Sequence, residues 1–275
     1  PLFGAMKLRV AWGQSGRAPG AFDAVRTWDP VGWGGSVAFF PENVGNSSLG
    51  PEITSEIEFG FDATFLNDKV TMEFTSYDQT TTNALFSVTQ TPSLGFLGSQ
   101  LENVGELSNS GIEVALQADI VRTSSFGLSG GFTLATNNSE VISLGGSPEF
   151  GVGGGGWIKE GGSVPGIIGR KILNPNDLAD PDFAKDENGS TDSRHMFGPN
   201  LPVNVYAGFL EVTLPMGIRV SARGEYMGGH YISDGASSNV ARRGAYTVCD
   251  EIVKGGSTAY ELVNAGTTDQ LTARE

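Results

Sequence analysis

Strict apolar/polar alternation, in segments joined alternately by very short and very long connections, constrains this chain more than any other feature. From Met6 to Gly13, Leu8, Val10 and Trp12 share one parity, with Lys7, Arg9 and Ala11 on the other. Ser55 to Leu66 sets Ile57, Phe59, Phe61, Ala63 and Phe65 against Glu56, Glu58, Gly60, Asp62 and Thr64. Asn67-Asp68 then supplies a tight turn, because both residue types tolerate the positive φ that hairpins require. Lys69 to Tyr77 returns with Val70, Met72 and Phe74 against Thr71, Glu73 and Thr75. Successive side chains of a strand point to opposite faces, so this period specifies strands with one greasy and one wet side.

The pattern recurs twice. Gly111 to Ile120 alternates Ile112, Val114, Leu116, Ala118 and Ile120 with Glu113, Ala115, Gln117 and Asp119. An Arg122-Thr123-Ser124-Ser125 turn leads to Phe126, Leu128, Phe132 and Leu134 on the apolar parity. A third hairpin is expected to match Val203, Val205, Ala207 and Phe209 with Ile218, Val220, Ala222 and Tyr226 through a Leu214-Pro215-Met216-Gly217 turn. Glu211 then falls on the apolar parity while Leu210 and Val212 fall on the polar one, so a β-bulge near that turn is expected to reset the register.

The connections within these hairpins span about two to five residues, the usual hairpin range. Those between them are long: Gln14 to Pro51, Asp78 to Ser110, Asn137 to Pro202, and everything beyond Tyr231. A sandwich has no reason to gather its long loops at one end, whereas an outer-membrane barrel has short periplasmic turns and long extracellular loops. Arg or Lys on a lipid-facing position at the bilayer midplane costs about 2–4 kcal/mol, and the greasy parity carries no charge in its core apart from Glu211.

Composition agrees without deciding. Glycine is 40 of 275 residues, against a usual share of about 7 %. Charged residues are 17 %, below the usual share of roughly 25 %. No apolar run approaches the ~18 residues of a spanning helix, and mean hydropathy is −0.11. A soluble, secreted β protein has the same composition. The net charge of −14 argues against nucleic acid, whose phosphates are bound by Lys and Arg clusters. Cys249, the single cysteine, forms no internal disulfide; it is a lone buried thiol or has a partner outside the chain. With Pro1 leading directly into a strand pattern and Glu275 following a polar stretch, both ends read as cuts, and location has to come from architecture.

Three segments carry a family resemblance. Leu49-Gly50-Pro51-Glu52-Ile53-Thr54-Ser55-Glu56-Ile57-Glu58-Phe59-Gly60 resembles the "L-x-P-E" and "E-x-G" start of a barrel strand in SusC/RagA-like TonB-dependent receptors. Asn103-Val104-Gly105-Glu106-Leu107-Ser108-Asn109-Ser110-Gly111-Ile112-Glu113 is similar to the same family's "N-V-G-E-x-x-N-x-G-x-E". Lys7-Leu8-Arg9-Val10-Ala11-Trp12-Gly13-Gln14-Ser15-Gly16 is similar to its "L-R-x-S-x-G-x-T-G" strand, with weaker echoes at Glu160–Gly166 and Gly228–Ile232. The resemblance implies an all-β chain, residues 1–275 forming one partial barrel domain of a 22-stranded, plugged kind, with the plug, TonB box and last strands absent. It implies an import receptor of the bacterial outer membrane, an oligosaccharide or peptide as solute, a SusD-like surface lipoprotein as lid, and drive from the TonB complex through the plug.

The residues themselves point to binding rather than covalent chemistry, and no cofactor is expected. Trp28, Trp33, Phe39 and Phe40, with Phe22, make the first long loop aromatic; such rings stack on sugars or meet a lid protein, or else pack the loop against its neighbours or join the interfacial aromatic girdle. Arg219, Arg223 and Glu225, with Glu56, Glu58 and Glu113, are expected to line the passage or touch the plug; a structural ion-pair network is the competing expectation. His195 and His230 are far apart and read as solvated. Gly151 to Gly156 precedes Trp157 and no helix, so it reads as a loop and not a phosphate cradle. The acids Asp177, Asp180, Asp182, Asp186, Glu187 and Asp192 lack the regular spacing of a calcium loop and read as a solvated extracellular loop. A passive channel and a soluble carbohydrate-binding or adhesin module stay open as alternatives.

Overall fold

The computed structural model describes residues 3–90, 93, 95–96, 98–174, 182–186, 188–192 and 194–233. The chain divides into two compact units. The first comprises Pro1–Phe150, Lys159–Gly161 and Pro202–Gly228; the second comprises Gly151–Ile158, Gly162–Leu201 and Gly229–Glu275.

The first unit is organised by one antiparallel sheet. Its path runs through β1 (Phe3–Arg17), β4 (Glu52–Phe65), β5 (Val70–Thr82), β8 (Glu106–Arg122), β9 (Gly127–Thr136), β15 (Asn204–Thr213) and β16 (Arg219–Gly228). Between these lie β2 (Thr27–Trp33) with β3 (Ser36–Asn43), β6 (Leu85–Thr89) with β7 (Ser99–Asn103), and β10 (Asn138–Ser143), which pairs with β8 beyond the end of β9. The predicted strands are all present and are longer than the alternation showed. β1, β4, β5 and β8 have 15, 14, 13 and 17 residues, longer than the ~9–11 that suffice to cross a bilayer.

The short turns form as their residues predict. Leu66, Asn67 and Asp68 take positive φ (58°, 59° and 62°) between β4 and β5. Thr123 closes the next turn, its Oγ1 accepting from Phe126 N at 2.9 Å. Met216, φ 65°, sits at the tip of the third, where Leu214 N donates to Ile218 O.

The register corrects one expectation. Tyr206 lies opposite both Leu134 and Tyr226, and Val212 opposite both Leu128 and Val220. The greasy face of β15 is therefore Tyr206, Gly208, Leu210 and Val212, and Val205, Ala207, Phe209 and Glu211 face the other way. No bulge interrupts β15, whose pairing with both neighbours is unbroken from Asn204 to Thr213. Both parities of this strand carry apolar residues, so alternation within it was ambiguous; the charge of Glu211 and the neighbouring strands decide. A bulge does occur in the sheet, on β8 between Asp119 and Val121.

With this correction one face is continuous: Leu8, Val10, Phe59, Phe61, Met72, Phe74, Val114, Leu116, Phe132, Leu134, Leu210, Val220 and Tyr226. Phe61 stacks on Phe74, and Tyr206 on both Phe132 and Tyr226. Yet most of these side chains are exposed: Val10 is 73 % exposed, Phe59 50 % and Val220 56 %. Among the described residues of the long strands, only Ala63 has a buried apolar side chain. Each large apolar side chain moved from water into hydrocarbon gains roughly 1.5–3 kcal/mol, so a face of this extent calls for a lipid solvent.

The buried core lies elsewhere. Ala84, Leu85, Val88, Phe96, Val104, Val141, Leu144 and Phe150 are buried at the roots of the long loops, with Phe86 edge-on to Phe150. In the second unit, short strands β12 (Trp157–Ile158), β13 (Gly166–Gly169) and β14 (His195–Pro199) pair after β11 (Phe150–Gly151), and Ile158, Ile167 and Ile172 are buried.

Candidate functional site

The polar face of the sheet holds the predicted passage residues. Register places Arg9, Glu58, Tyr77 and Gly111 near one another, with Glu56 opposite Gln79 and Glu113 opposite Thr75. Arg9 Nη2 pairs with Asp62 at 3.0 Å and donates to Thr75 Oγ1 at 3.3 Å. Gln79 Nε2 donates to Glu56 at 2.7 Å, and Tyr77 donates to Asn137 Oδ1 at 3.2 Å. A hollow of about 360 Å³ lies among Ala11, Gly13, Ser15, Thr54, Glu56, Glu58 and Gln79. Carboxylates outnumber cations on this part of the wall.

Arg219, Arg223 and Glu225 share one face of β16 with Ser221 and stand beside Ala207, Phe209 and Glu211 of β15. Arg219 is tied to Glu211 at 3.4 Å. Arg223 and Glu225 form no ion pair among the described residues; with Thr133 and Phe209 they border a hollow of about 630 Å³. Arg219 is thus held in an ion pair, while Arg223 and Glu225 border a hollow. Glu211 and Asp62 were missed as partners, the first because its parity was misassigned.

The loop aromatics fall on the β2–β3 hairpin, a separate two-stranded sheet. Trp28 lies opposite Pro41, and Phe39 opposite Pro30, on one face; Phe40 opposite Asp29, and Trp33 opposite Ser36, are on the other. Trp33 is 79 % and Phe39 66 % exposed, and Arg26 lies over Trp28 at 5.9 Å. The hairpin shows rings on both faces instead of gathering four on one. It follows β1, at the opposite edge of the sheet from β16, so the two predicted residue groups are not brought together.

The segments that carried the family resemblance do something else: they stitch the long-loop roots. Asn103 Nδ2 donates to Gly50 O and Asn83 O, both at 2.9 Å, and its Oδ1 accepts from Gly50 N at 2.7 Å. Glu52 Oε2 accepts from Leu85 N at 2.8 Å, and Val104 N donates to Ala84 O at 2.6 Å. Gly105 has φ 62°, and a Cβ there would collide with the Ser143 carbonyl, so only glycine fits. Glu160 Oε1 accepts from Leu144 N at 2.6 Å. The signal in the sequence was the motif itself; its long-range pairing was not readable.

The remaining candidates resolve simply. Asp186 Oδ1 accepts from Asn188 N and Ser190 N, both at 2.9 Å, a turn closed by its own carboxylate. No group of three or more metal-binding side chains occurs among the described residues. Asp177, Asp180, Glu187 and Cys249 lie outside the described residues. Gly153–Gly155 forms one 3₁₀ turn that leads into β12, with no following helix. His195 belongs to β14, half-buried and edge-on to Phe197, so it is not simply solvated as expected; the Nδ1 of His230 is buried with no hydrogen-bond partner among the described residues.

Residues 3–266 match the family described as TonB dependent receptor-like, beta-barrel. TonB-dependent receptor P26 of Formosa agariphila is 30% identical over 232 residues, 73% of this chain and 23% of that protein. TonB-dependent receptor P39 of the same organism is 30% identical over 171 residues, 61% of this chain and 16% of that protein. The chain thus spans less than a quarter of the length of these curated relatives. Among solved structures, that of the RagAB peptide transporter superposes with a TM-score of 0.73 at 18% identity, covering 87% of this chain and 28% of that one. The RagAB peptide importer in its "open-open" state gives 0.65 at 19% identity over 86% of this chain and 27% of that one. The SusC/RagA-like resemblance and the barrel fold read from the alternation are both borne out, and the chain belongs to the TonB-dependent receptor-like β-barrel family.

Proposed function

We propose that this chain is the wall of an import receptor in a bacterial outer membrane, one partial barrel domain that binds and gates a nutrient and performs no covalent chemistry. The observation that carries the reading is the inverted sheet, with its apolar face uncovered and its opposite face charged in a family of receptor barrels. The long-loop end then faces the exterior and the short turns the periplasm. A SusD-like lipoprotein covers the long loops, and the TonB complex acts through a plug in the full-length receptor. The solute is an oligosaccharide or a peptide. Peptide transport by the structurally similar RagAB supports the second, and the exposed rings of Trp28, Trp33, Phe39 and Phe40 suit either. Those rings contact the solute or the lid, while Arg223 and Glu225, with Arg219, border its path.

Cells carrying the full-length receptor are expected to accumulate labelled oligopeptides or oligosaccharides only while TonB is intact. Uptake that survives loss of TonB would make the protein a passive channel. Extraction without detergent would make it a soluble module.

A further inference from the structure

We infer that Asn103 is a positioning residue that holds the first long loop, with the aromatic hairpin it carries, in one pose on the rim of the sheet. Its carboxamide both donates to and accepts from Gly50, at 2.9 and 2.7 Å, while also donating to Asn83 O. A two-way pair with one residue's backbone acts like a single rung of a β ladder, fixing both the position and the rotation of residue 50. Gly50 is the last residue but one before β4, so the rung sets how the loop meets the sheet. The backbone of Asn103 is itself fixed, since it ends β7 opposite Leu85 and precedes Val104, which is fully buried.

A second asparagine transmits this placement along the loop. Asn43, at the end of β3, donates through Nδ2 to Phe22 O, Asp23 O and Val25 O at 3.2, 3.0 and 3.2 Å. Its Oδ1 accepts from Gly45 N at 3.1 Å, closing the base of the hairpin. Between the two clamps, Asn46 accepts from Ser48 N through Oδ1 and from Leu49 N through its carbonyl. The path from hairpin base to sheet is therefore bonded from Asn43 to Gly50, with little slack. A side chain at 103 must donate and accept at once, which the amide does. An aspartate keeps the bond from Gly50 N but turns a charge on the Gly50 and Asn83 carbonyls. Ordering the hairpin before it meets a ligand or lid removes that entropic cost from binding.

The value of this placement rests on the proposed role of the hairpin, but its test needs no ligand. The full-length receptor in lipid bilayers, its cysteines replaced by serine, is spin-labelled at Ser36 and Gln117, and separately at Gln117 and Ser221 within the sheet. A single narrow 36–117 distance is expected in the parent. Asn103→Ala is expected to lose that narrow peak while the 117–221 distance stays unchanged. A broad parent distribution, or an unchanged narrow peak in Asn103→Ala, overturns the inference. Should the alanine variant also lose the 117–221 distance, the isosteric Asn103→Asp decides: a lost 36–117 peak over an intact sheet supports the clamp, and a retained peak overturns it. Uptake assays that failed to show TonB-dependent import would leave these distances untouched, so the two readings fail separately.

Discussion

The long-strand sheet and the collar of loop roots above it are built from opposite physics, although both belong to the same unit. In the sheet, most of the large apolar residues on one face are exposed, and the charges cluster on the other. In the collar, Val104, Val141 and Leu144 are buried as in a water-soluble core, and side-chain amides and carboxylates close onto backbone groups. The sheet depends on its solvent for stability, while the collar carries its own interior. The contrast teaches that one chain can obey two hydrophobic rules where its surroundings change from hydrocarbon to water.

Substitutions in the full-length receptor, followed by equilibrium unfolding from lipid bilayers, should sharpen or break this contrast. Leu144→Ala leaves a cavity that packed neighbours fill only partly, and a loss of roughly 2–5 kcal/mol is expected. A loss no larger than that for a lipid-facing leucine would mean the collar is not a packed core. Next, Leu210→Lys is expected to destabilise by about 2–4 kcal/mol and Phe209→Lys by much less, because only the first points into lipid. The reverse ranking would restore the parity that alternation alone assigned to β15. Leu116→Ala should cost only about 1–2 kcal/mol, since lipid fills the space and only the transfer term is lost. Smallest of all, Arg219→Ala is expected to change stability by less than about 1 kcal/mol, the Arg219 side chain being itself two-thirds exposed. A loss of several kcal/mol would show that this pair is enclosed.

Much of the sheet was legible from local pattern. The hairpins around Asn67-Asp68 and Thr123 formed where a period of two met turn-forming residues, and the long connections fell at one end. β15 was misread because Ala207 and Phe209 on one parity look as apolar as Tyr206 and Leu210 on the other; the charge of Glu211 and the register with the neighbouring strands break the tie. The loops hid more. The collar draws on residues 16 to 53 positions apart, Leu144 with Glu160 and Gly50 with Asn103, and no local period marks such a pair. The candidate residues were found as types but not as groups: the hairpin divides the four aromatics between two faces, and β16 stands at the other edge of the sheet.

The sequence by itself determined that this chain makes amphipathic strands with short turns at one end, because alternation and turn chemistry act within a few residues of backbone. It also determined the family, through motifs that survive as local strings. Tertiary structure alone decided the face of β15, the bulge on β8, the partners of the charged wall and the clamp at Asn103. Register and long-range hydrogen bonds depend on which strands become neighbours, and that choice is made by the whole sheet at once.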